Sequence, residues 1–335
     1  MGMLDHWHPV YPSRKLRAKP FGFRLAGRMI CLFRTSAGDV KAIDDVCPHR
    51  RSKLSYGRVV GDRIRCEYHG WTFDGCGAGE SPGTPRLTTC TESFDALEKH
   101  GYIWVKSRAS NPIFPSINDD HFFPLGNFQY TIPAPLELTV DNFNEIEHSG
   151  TVHTTFGYDL ERMHEVKVQI DSTVDSVRVS NVGPTKTLFR PFAWLLGVRK
   201  DDLFHDAWTT KFSPVHSVFD HWWTSADGAR EGKVRWRLYE FFWPIDAATT
   251  GLTAFVYAKS RYPGPAGGLR IVRPLFRREL NREIRRDVRM LENLADTTVG
   301  IEGMKLSRFD KVLGLTRERI ARIYRGEVTS RLALA

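Results

Sequence analysis

Long apolar runs are missing from this chain. Its longest apolar stretches, such as Pro191 to Val198, fall far below the roughly 18 residues that a membrane span needs, so no membrane association is expected. The first residues, Met1 to His6, hold no basic segment followed by an apolar run, which predicts that no secretory signal is present. His6 also stands where a myristoylation pattern needs Ser or Thr. Cysteine is scarce: there are five, an odd number, so a fully paired disulfide framework is excluded and a reducing, cytoplasmic setting is expected. No G-x-G-x-x-G fingerprint occurs, so the chain is not expected to take hydride from NAD(P)H itself. Internal repeats, low-complexity tracts and nucleic-acid module patterns are absent as well.

What is there reads as globular. The 335 residues are 41% apolar and 26% charged, enough for about two domains. Lys and Arg number 48 against 39 Asp and Glu, a formal charge of +9. Much of that excess lies in Arg270, Arg273, Arg277, Arg278, Arg282, Arg285, Arg286 and Arg289, whose default reading is the solvated face of a helix. Short strands broken by turns are predicted from residue 20 to 106, at Ile30–Phe33, Val40–Ile43, Arg63–Arg65 and Tyr102–Val105 among others. A crossover is expected over Asn111–Pro124, a helix over Asp141–Gly150 and strands from about Val166 to Ser260. A loop over Tyr262–Gly268 follows, then a long helix over 274–296 with Pro274 in its first turn, and a last helix near Thr316–Tyr324.

All five cysteines fall in the first 90 residues, which points to local metal chemistry. Cys47-Pro48-His49-Arg50 and Cys66-Glu67-Tyr68-His69 form C-x-H and C-x-x-H loops with fifteen residues between them. Tetrahedral zinc can take two Cys and two His, but zinc fingers usually pair Cys with Cys and His with His. Mixed loops suit a [2Fe–2S] cluster with two thiolates on one iron and two imidazoles on the other.

A second group is Glu145, His148 and His153. On a helix, residues 141, 145 and 148 share a face; His153 is off that phase, and Gly150 gives the helix a place to loosen so that both rings converge. Two convergent histidines invite iron if a carboxylate joins them, although two histidines five residues apart are a weak signal alone. In the late helix, Leu280, Ile284, Asp287, Leu291 and Leu294 recur at helical spacing, placing Asp287 inside an apolar stripe. A carboxylate buried there needs a metal, a cation or a proton. No Arg or Lys stands three or four residues away, so its partner is either a base from elsewhere in the fold or a metal.

Residues from about Trp7 to Val105 resemble the Rieske domain of the Rieske non-haem iron oxygenases, through the two ligand loops, Ala42-Ile43-Asp44-Asp45 ahead of them, Leu54 and Gly57, Gly70-Trp71 and Asp74-Gly75. The resemblance extends to about residue 300 and implies an α+β protein. An all-β Rieske domain over 1–112 would precede a helix-grip catalytic domain over 113–335, an antiparallel sheet with a long C-terminal helix. It implies Cys47, His49, Cys66 and His69 as cluster ligands and His148, His153 and Asp287 as ligands of a mononuclear Fe(II), Asp287 with Leu291 matching a D-x-x-x-L setting. Glu145 takes the place of an acidic residue, usually Asp, that bridges to a Rieske histidine of a neighbouring subunit in a homotrimer. Asp141-Asn142 resembles the family's acidic-Asn pair, which makes Asn142 a supporting residue at the iron site. Arg51 departs from the family, where Gly is frequent.

The implied activity is monooxygenation of a small organic compound, aromatic or heterocyclic, by hydroxylation or oxidative demethylation. Dioxygen is the oxidant, and a ferredoxin or an NAD(P)H-dependent flavin reductase is the electron source. Aromatic-ring dioxygenation is the near alternative, a Rieske electron carrier or a structural zinc protein the distant ones. Trp194, Phe204, Trp208, Phe219, Trp222 and Trp223 are candidate pocket aromatics, with core packing as their default. His205, His216 and His221 are read as packing or surface histidines.

Overall fold

The computed structural model describes residues 2–117, 121–263 and 265–327. Residues 118–120 of the expected crossover, Gly264 of the expected loop and residues 328–335 of the expected second domain lie outside them. The chain divides into two compact units, Met1–Pro115 with Trp243–Ala247, and Ser116–Phe242 with Ala248–Ala335.

The first unit is built from short strands. In chain order they are β1 (His8–Pro12), β2 (Phe21–Leu25), β3 (Arg28–Arg34), β4 (Val40–Asp44), β5 (Arg58–Val60), β6 (Arg63–Arg65), β7 (Thr72–Phe73), β8 (Ala78–Glu80), β9 (Thr88–Cys90), β10 (Ser93–Lys99) and β11 (Tyr102–Ser107). They form a six-stranded sheet in the order β1-β11-β10-β4-β3-β2 and a five-stranded sheet in the order β5-β6-β7-β8-β9. The side-chain period of two lets β3 serve two cores. Ile30 and Leu32 join Leu25, Ala42, Ile103 and Val105, while Cys31 and Phe33 join Ile43, Leu54, Ile64 and Phe73 beneath Cys47 and Cys66.

The second unit holds β12 (Phe123–Ile132), α1 (Leu136–Phe143), β13 (Lys167–Ser172), β14 (Ser176–Pro184), α2 (Arg190–Leu196), β15 (Leu203–Phe212), β16 (Val215–Thr224), β17 (Val234–Asp246), β18 (Thr249–Ser260), α3 (Leu269–Glu292) and α4 (Lys311–Arg319). Its seven strands run in the order β12-β18-β17-β16-β15-β14-β13, and pairs such as β12/β18, β14/β15 and β15/β16 are antiparallel. α3 buries Phe276, Leu280, Ile284 and Leu291, the Phe276 ring lying 4.6 Å from that of Trp236 on β17. The α+β plan implied by the resemblance is thus present: an all-β first unit, then an antiparallel sheet with a long late helix.

Three helices differ from their expected limits. α3 starts at Leu269 rather than 274, which puts Pro274 in its sixth position, where it removes an intrahelical hydrogen bond; the helix ends at Glu292, and Leu294 lies beyond it, 42% exposed. α4 covers Lys311–Arg319 and passes into a wider turn over Ile320–Tyr324. The helix expected over 141–150 is in fact α1, which stops at Phe143, followed by a separate tight turn over Glu147–Gly150. The physical reason for this break is Asn144: its side chain donates to Thr210 Oγ1 (3.0 Å) and accepts from Ser217 Oγ (2.9 Å), bonds to the sheet that anchor the end of the helix.

Candidate metal centres

In the first unit, Cys47 follows β4 and Cys66 follows β6, each at the start of a loop that closes on itself. Arg51 N donates to Cys47 O (2.8 Å) and Gly70 N to Cys66 O (3.0 Å); Cys47 N and Cys66 N donate to Ser52 O and Trp71 O. The two loops also share a backbone twist, with φ of 58° at Arg51 and 73° at Gly70. That left-handed conformation favours glycine, which accounts for the physical strain behind the departure at Arg51. Gly57 is required by close approach: a Cβ there would stand 2.0 Å from Arg65 O. Asp45 ties the first loop down, accepting from Ser55 N (2.6 Å) and Ser55 Oγ (2.7 Å).

Within this frame the four expected cluster residues come together. Cys47 and Cys66 are buried, and burial followed by the neighbouring Cys66 sulfur pushes the Cys47 thiol up. His49 and His69 are exposed, their ring centroids 4.5 Å apart, and Trp71 stacks on His49 at 4.8 Å. Two thiols inside and two imidazoles outside fit a cluster whose irons differ in their ligands.

In the second unit, His148, His153 and Asp287 converge. His148 Nε2 and His153 Nε2 are 3.1 Å apart, and each is 3.2 Å from Asp287 Oδ1. Donors about 2.1 Å from one ion and at right angles to each other are about 3.0 Å apart, so this triangle has the size of one face of an octahedron. Asp287 Oδ1 is buried without a hydrogen-bond partner, and two like ring nitrogens face each other beside it. Such an arrangement fits a cation shared by all three.

The outer nitrogens are held by glutamates. Glu145 meets His148 Nδ1 and caps the following turn, its Oε2 accepting from Glu147 N (2.5 Å). Glu283, one turn before Asp287 on α3, approaches His153 Nδ1 at 2.9 Å and accepts from Thr154 N (3.1 Å) and Thr154 Oγ1 (2.7 Å). Lys186 Nζ fastens the loop between the histidines, donating to Ser149 O (2.7 Å) and His153 O (2.6 Å). Burial alone would lower both histidines, but Asp287 with Glu145 raises His148, and Asp287 with Glu283 raises His153. Against the upward push of burial, the two rings hold Asp287 below the ordinary carboxylate range.

A cavity with about 600 Å³ of atom-free space, solvent at its mouth included, opens on this triangle. Phe143, Phe156, Phe204, Phe219, Leu238 and Ile284 form its apolar wall, and Asp206, His221 and Glu240 its polar one. Of the expected aromatics, Phe204 and Phe219 line it. Trp208 and Trp223 are buried elsewhere in the core, Trp222 stacks on His205, and Trp194 is 75% exposed. His205 and His216 pack as expected, but His221 does not: the reading as packing or surface is corrected by its place in the cavity wall. Asn142 does not line the cavity, and its Nδ2 is buried without a partner. Asp141 turns to Arg317, whose Nε donates to it at 2.9 Å. Glu283, Glu240 and Asp206 were not singled out in the sequence; only the spacing of four between Glu283 and Asp287 hinted at a shared helix face.

Comparison with known proteins agrees with this picture. A Rieske [2Fe-2S] domain family matches residues 6–94. Methylxanthine N1-demethylase NdmA of Pseudomonas putida is 27% identical over 224 residues, 58% of this chain and 64% of that protein. Dicamba monooxygenase bound to 3,6-dichlorosalicylic acid superposes with a TM-score of 0.78 at 17% identity, covering 95% of this chain and 96% of that one. The same enzyme with non-haem iron and dicamba superposes at 0.65, with 17% identity over 95% and 96% of the two chains. These likenesses establish the fold. The chain spans between 22% and 64% of the length of the curated relatives it matches. The chain thus carries a match to a Rieske [2Fe-2S] domain in its first unit, and its fold is similar to that of dicamba monooxygenase.

Proposed function

We propose that the chain is the oxygenase component of a Rieske monooxygenase that hydroxylates or oxidatively demethylates a small aromatic or heterocyclic compound. Cys47, His49, Cys66 and His69 would hold the [2Fe–2S] cluster, and His148, His153 and Asp287 the ferrous iron. The observation that carries the reading is the 3.1–3.2 Å triangle of donors at the floor of an apolar cavity. When bound, the cluster supplies single electrons and the iron activates dioxygen.

The chain's own residues do the rest. Glu145 and Glu283 hold the outer nitrogens of the two histidines, so that both Nε2 atoms face inward; such outer partners fix ring orientation and tautomer. Lys186 keeps the intervening loop closed, and Phe143, Phe156, Phe204 and Phe219 exclude water from the reacting space. Electrons come from a ferredoxin or an NAD(P)H-dependent flavin reductase, and the charge of +9 suits an acidic carrier. Within a homotrimer, Glu145 would link His148 to His69 of the next subunit. The unpaired cysteines suit the reducing cytoplasm.

The test is dioxygen uptake with a surrogate reductase, screened over aromatic and heterocyclic compounds. The reading expects uptake that depends on one of them and is lost in Asp287→Ala while the visible Rieske spectrum persists. Uptake unaffected by Asp287→Ala would refute it.

A further inference from the structure

The cavity wall has a charge pattern that bears on what it accepts. Its lining includes five carboxylates, Glu145, Asp206, Glu240, Glu283 and Asp287, and neither Lys nor Arg. Two cations that bond to lining residues are spent there: Lys186 on the carbonyls of Ser149, Gly150 and His153, and Arg286 on Glu283 and Thr154. A ferrous ion at the triangle is already matched by Asp287 and by the two carboxylates behind the histidines. An organic anion entering this space would therefore meet no Lys or Arg, and the carboxylates of Glu145 and Asp206 would repel it; burial raises the Glu240 carboxyl to about 8, so it offers polarity there rather than charge.

Two buried polar atoms in that wall are unpartnered. Glu240 is 3% exposed and its Oε2 has no hydrogen-bond partner among the described residues; His221 is 9% exposed and its Nδ1 has none either. His221 Nε2 lies 3.1 Å from Asp206 Oδ1. A carboxylate only accepts, so the ring proton belongs on Nε2 and Nδ1 is left as a lone-pair acceptor. Strands β15, β16 and β17 carry these residues into one cavity: Asp206 faces His221 across the first strand pair, and Glu240, opposite Ser217, enters it four register positions away. Buried polar groups are normally paired. Here two unpartnered polar atoms, His221 Nδ1 and Glu240 Oε2, sit on the polar side of a cavity whose other wall is apolar, with a ring-sized space beside them.

Resting on the proposed function of the same site, we infer that the cavity selects an uncharged or cationic ring compound whose N–H groups meet His221 Nδ1 and Glu240 Oε2, and that it rejects aromatic carboxylates. The flat apolar wall takes the ring, the two acceptors fix its edge, and the opposite edge is left facing the triangle.

Three probes of one shape test this: 4-methylbenzamide, 4-methylbenzylamine and 4-methylbenzoate, titrated calorimetrically into cluster- and iron-loaded protein. The expected result is that the amide or the amine binds at least roughly tenfold more tightly than the benzoate. Leaving a buried hydrogen-bonding partner unmatched commonly costs that much. In Glu240→Leu and in His221→Phe the preference should shrink to within about threefold. If one variant does not fold, the other and the wild-type ratio still decide. Benzoate binding as tightly as both nitrogen compounds, failure of all three to bind, or an unchanged preference in both variants would overturn the inference. Iron content measured on the same samples separates the two claims: protein with full iron but no preference sinks only this inference, whereas protein unable to hold the third iron sinks the functional reading beneath it.

Discussion

Two glutamates, each gripping the outer nitrogen of one histidine, organise the second candidate metal centre, and they differ in how visible they are in the sequence. Glu145 stands three residues before His148, so local spacing and family resemblance both draw attention to it. Glu283 reaches His153 across 130 residues of chain, and nothing local marks it except its place one turn before Asp287. Losing such an outer partner typically weakens metal affinity roughly 10- to 100-fold. Glu283→Gln should therefore hold Fe(II) or Co(II) less tightly by that factor, read by metal titration, with the Rieske spectrum unchanged; unaltered affinity would mean that Glu283 only packs. Arg51 offers a second check at this scale. Its φ of 58° carries a cost for any residue but glycine, so Arg51→Gly should raise the stability of the first unit by about 1 kcal/mol in urea unfolding.

His216 gives the pH dependence. Buried, its Nδ1–H donated to Pro214 O at 2.8 Å and its ring stacked on Phe241, it has a pKa lowered by burial to about 4. The fold thus favours the neutral ring. Its contribution is complete above the unfolded histidine pKa of about 6.5 and is lost as pH falls from there to about 4, some ~3 kcal/mol in all. Urea unfolding at pH 7 and pH 4.5 should show that loss in the wild type, and a distinctly smaller one in His216→Asn.

At the scale of elements, the strands were largely legible because alternation and turn residues are local. Ile30–Phe33, Val40–Ile43, Arg63–Arg65 and Tyr102–Val105 all lie in strands. The helix ends were not. α1 stops where Asn144 bonds to Thr210 and Ser217, partners that no local pattern announces. α3 runs past Pro274 because its first turns are held from outside, Arg273 Nε donating to Leu125 O at 2.8 Å. The apolar stripe around Asp287 was readable at Leu280, Ile284 and Leu291 but ended before Leu294. Since α3 carries both Asp287 and Glu283, its seat on the sheet should control metal binding. Phe276, fully buried against Trp236 and Phe192, anchors it. Phe276→Ala should destabilise the second unit by about 3–5 kcal/mol and reduce the retention of the mononuclear metal through dialysis. Full retention would show that α3 is positioned by other contacts.

For the whole molecule, both candidate ligand sets were legible in the sequence because each rests on residue types in short register, C-x-H, C-x-x-H and H-x-x-x-x-H, with Asp287 marked out by its apolar surroundings. The polar wall of the cavity stayed hidden: Asp206, His221 and Glu240 lie on three strands and meet only in the folded sheet. Likewise, no sequence feature marks Trp243–Ala247, the end of β17 and the residue after it, as grouping with the first unit, where Trp243 joins the core around Leu25 and Ile30.

The central claim is that one chain holds two kinds of iron. Iron and acid-labile sulfide measured on purified protein, with Mössbauer spectra of the wild type and of Asp287→Ala, test it most directly. A Rieske cluster contributes two irons and two sulfides. The account therefore expects a further, high-spin ferrous iron in the wild type, which Asp287→Ala loses while the cluster signal stays intact. Iron equal to sulfide in fully loaded wild-type protein, or a high-spin ferrous signal unchanged by Asp287→Ala, would contradict it.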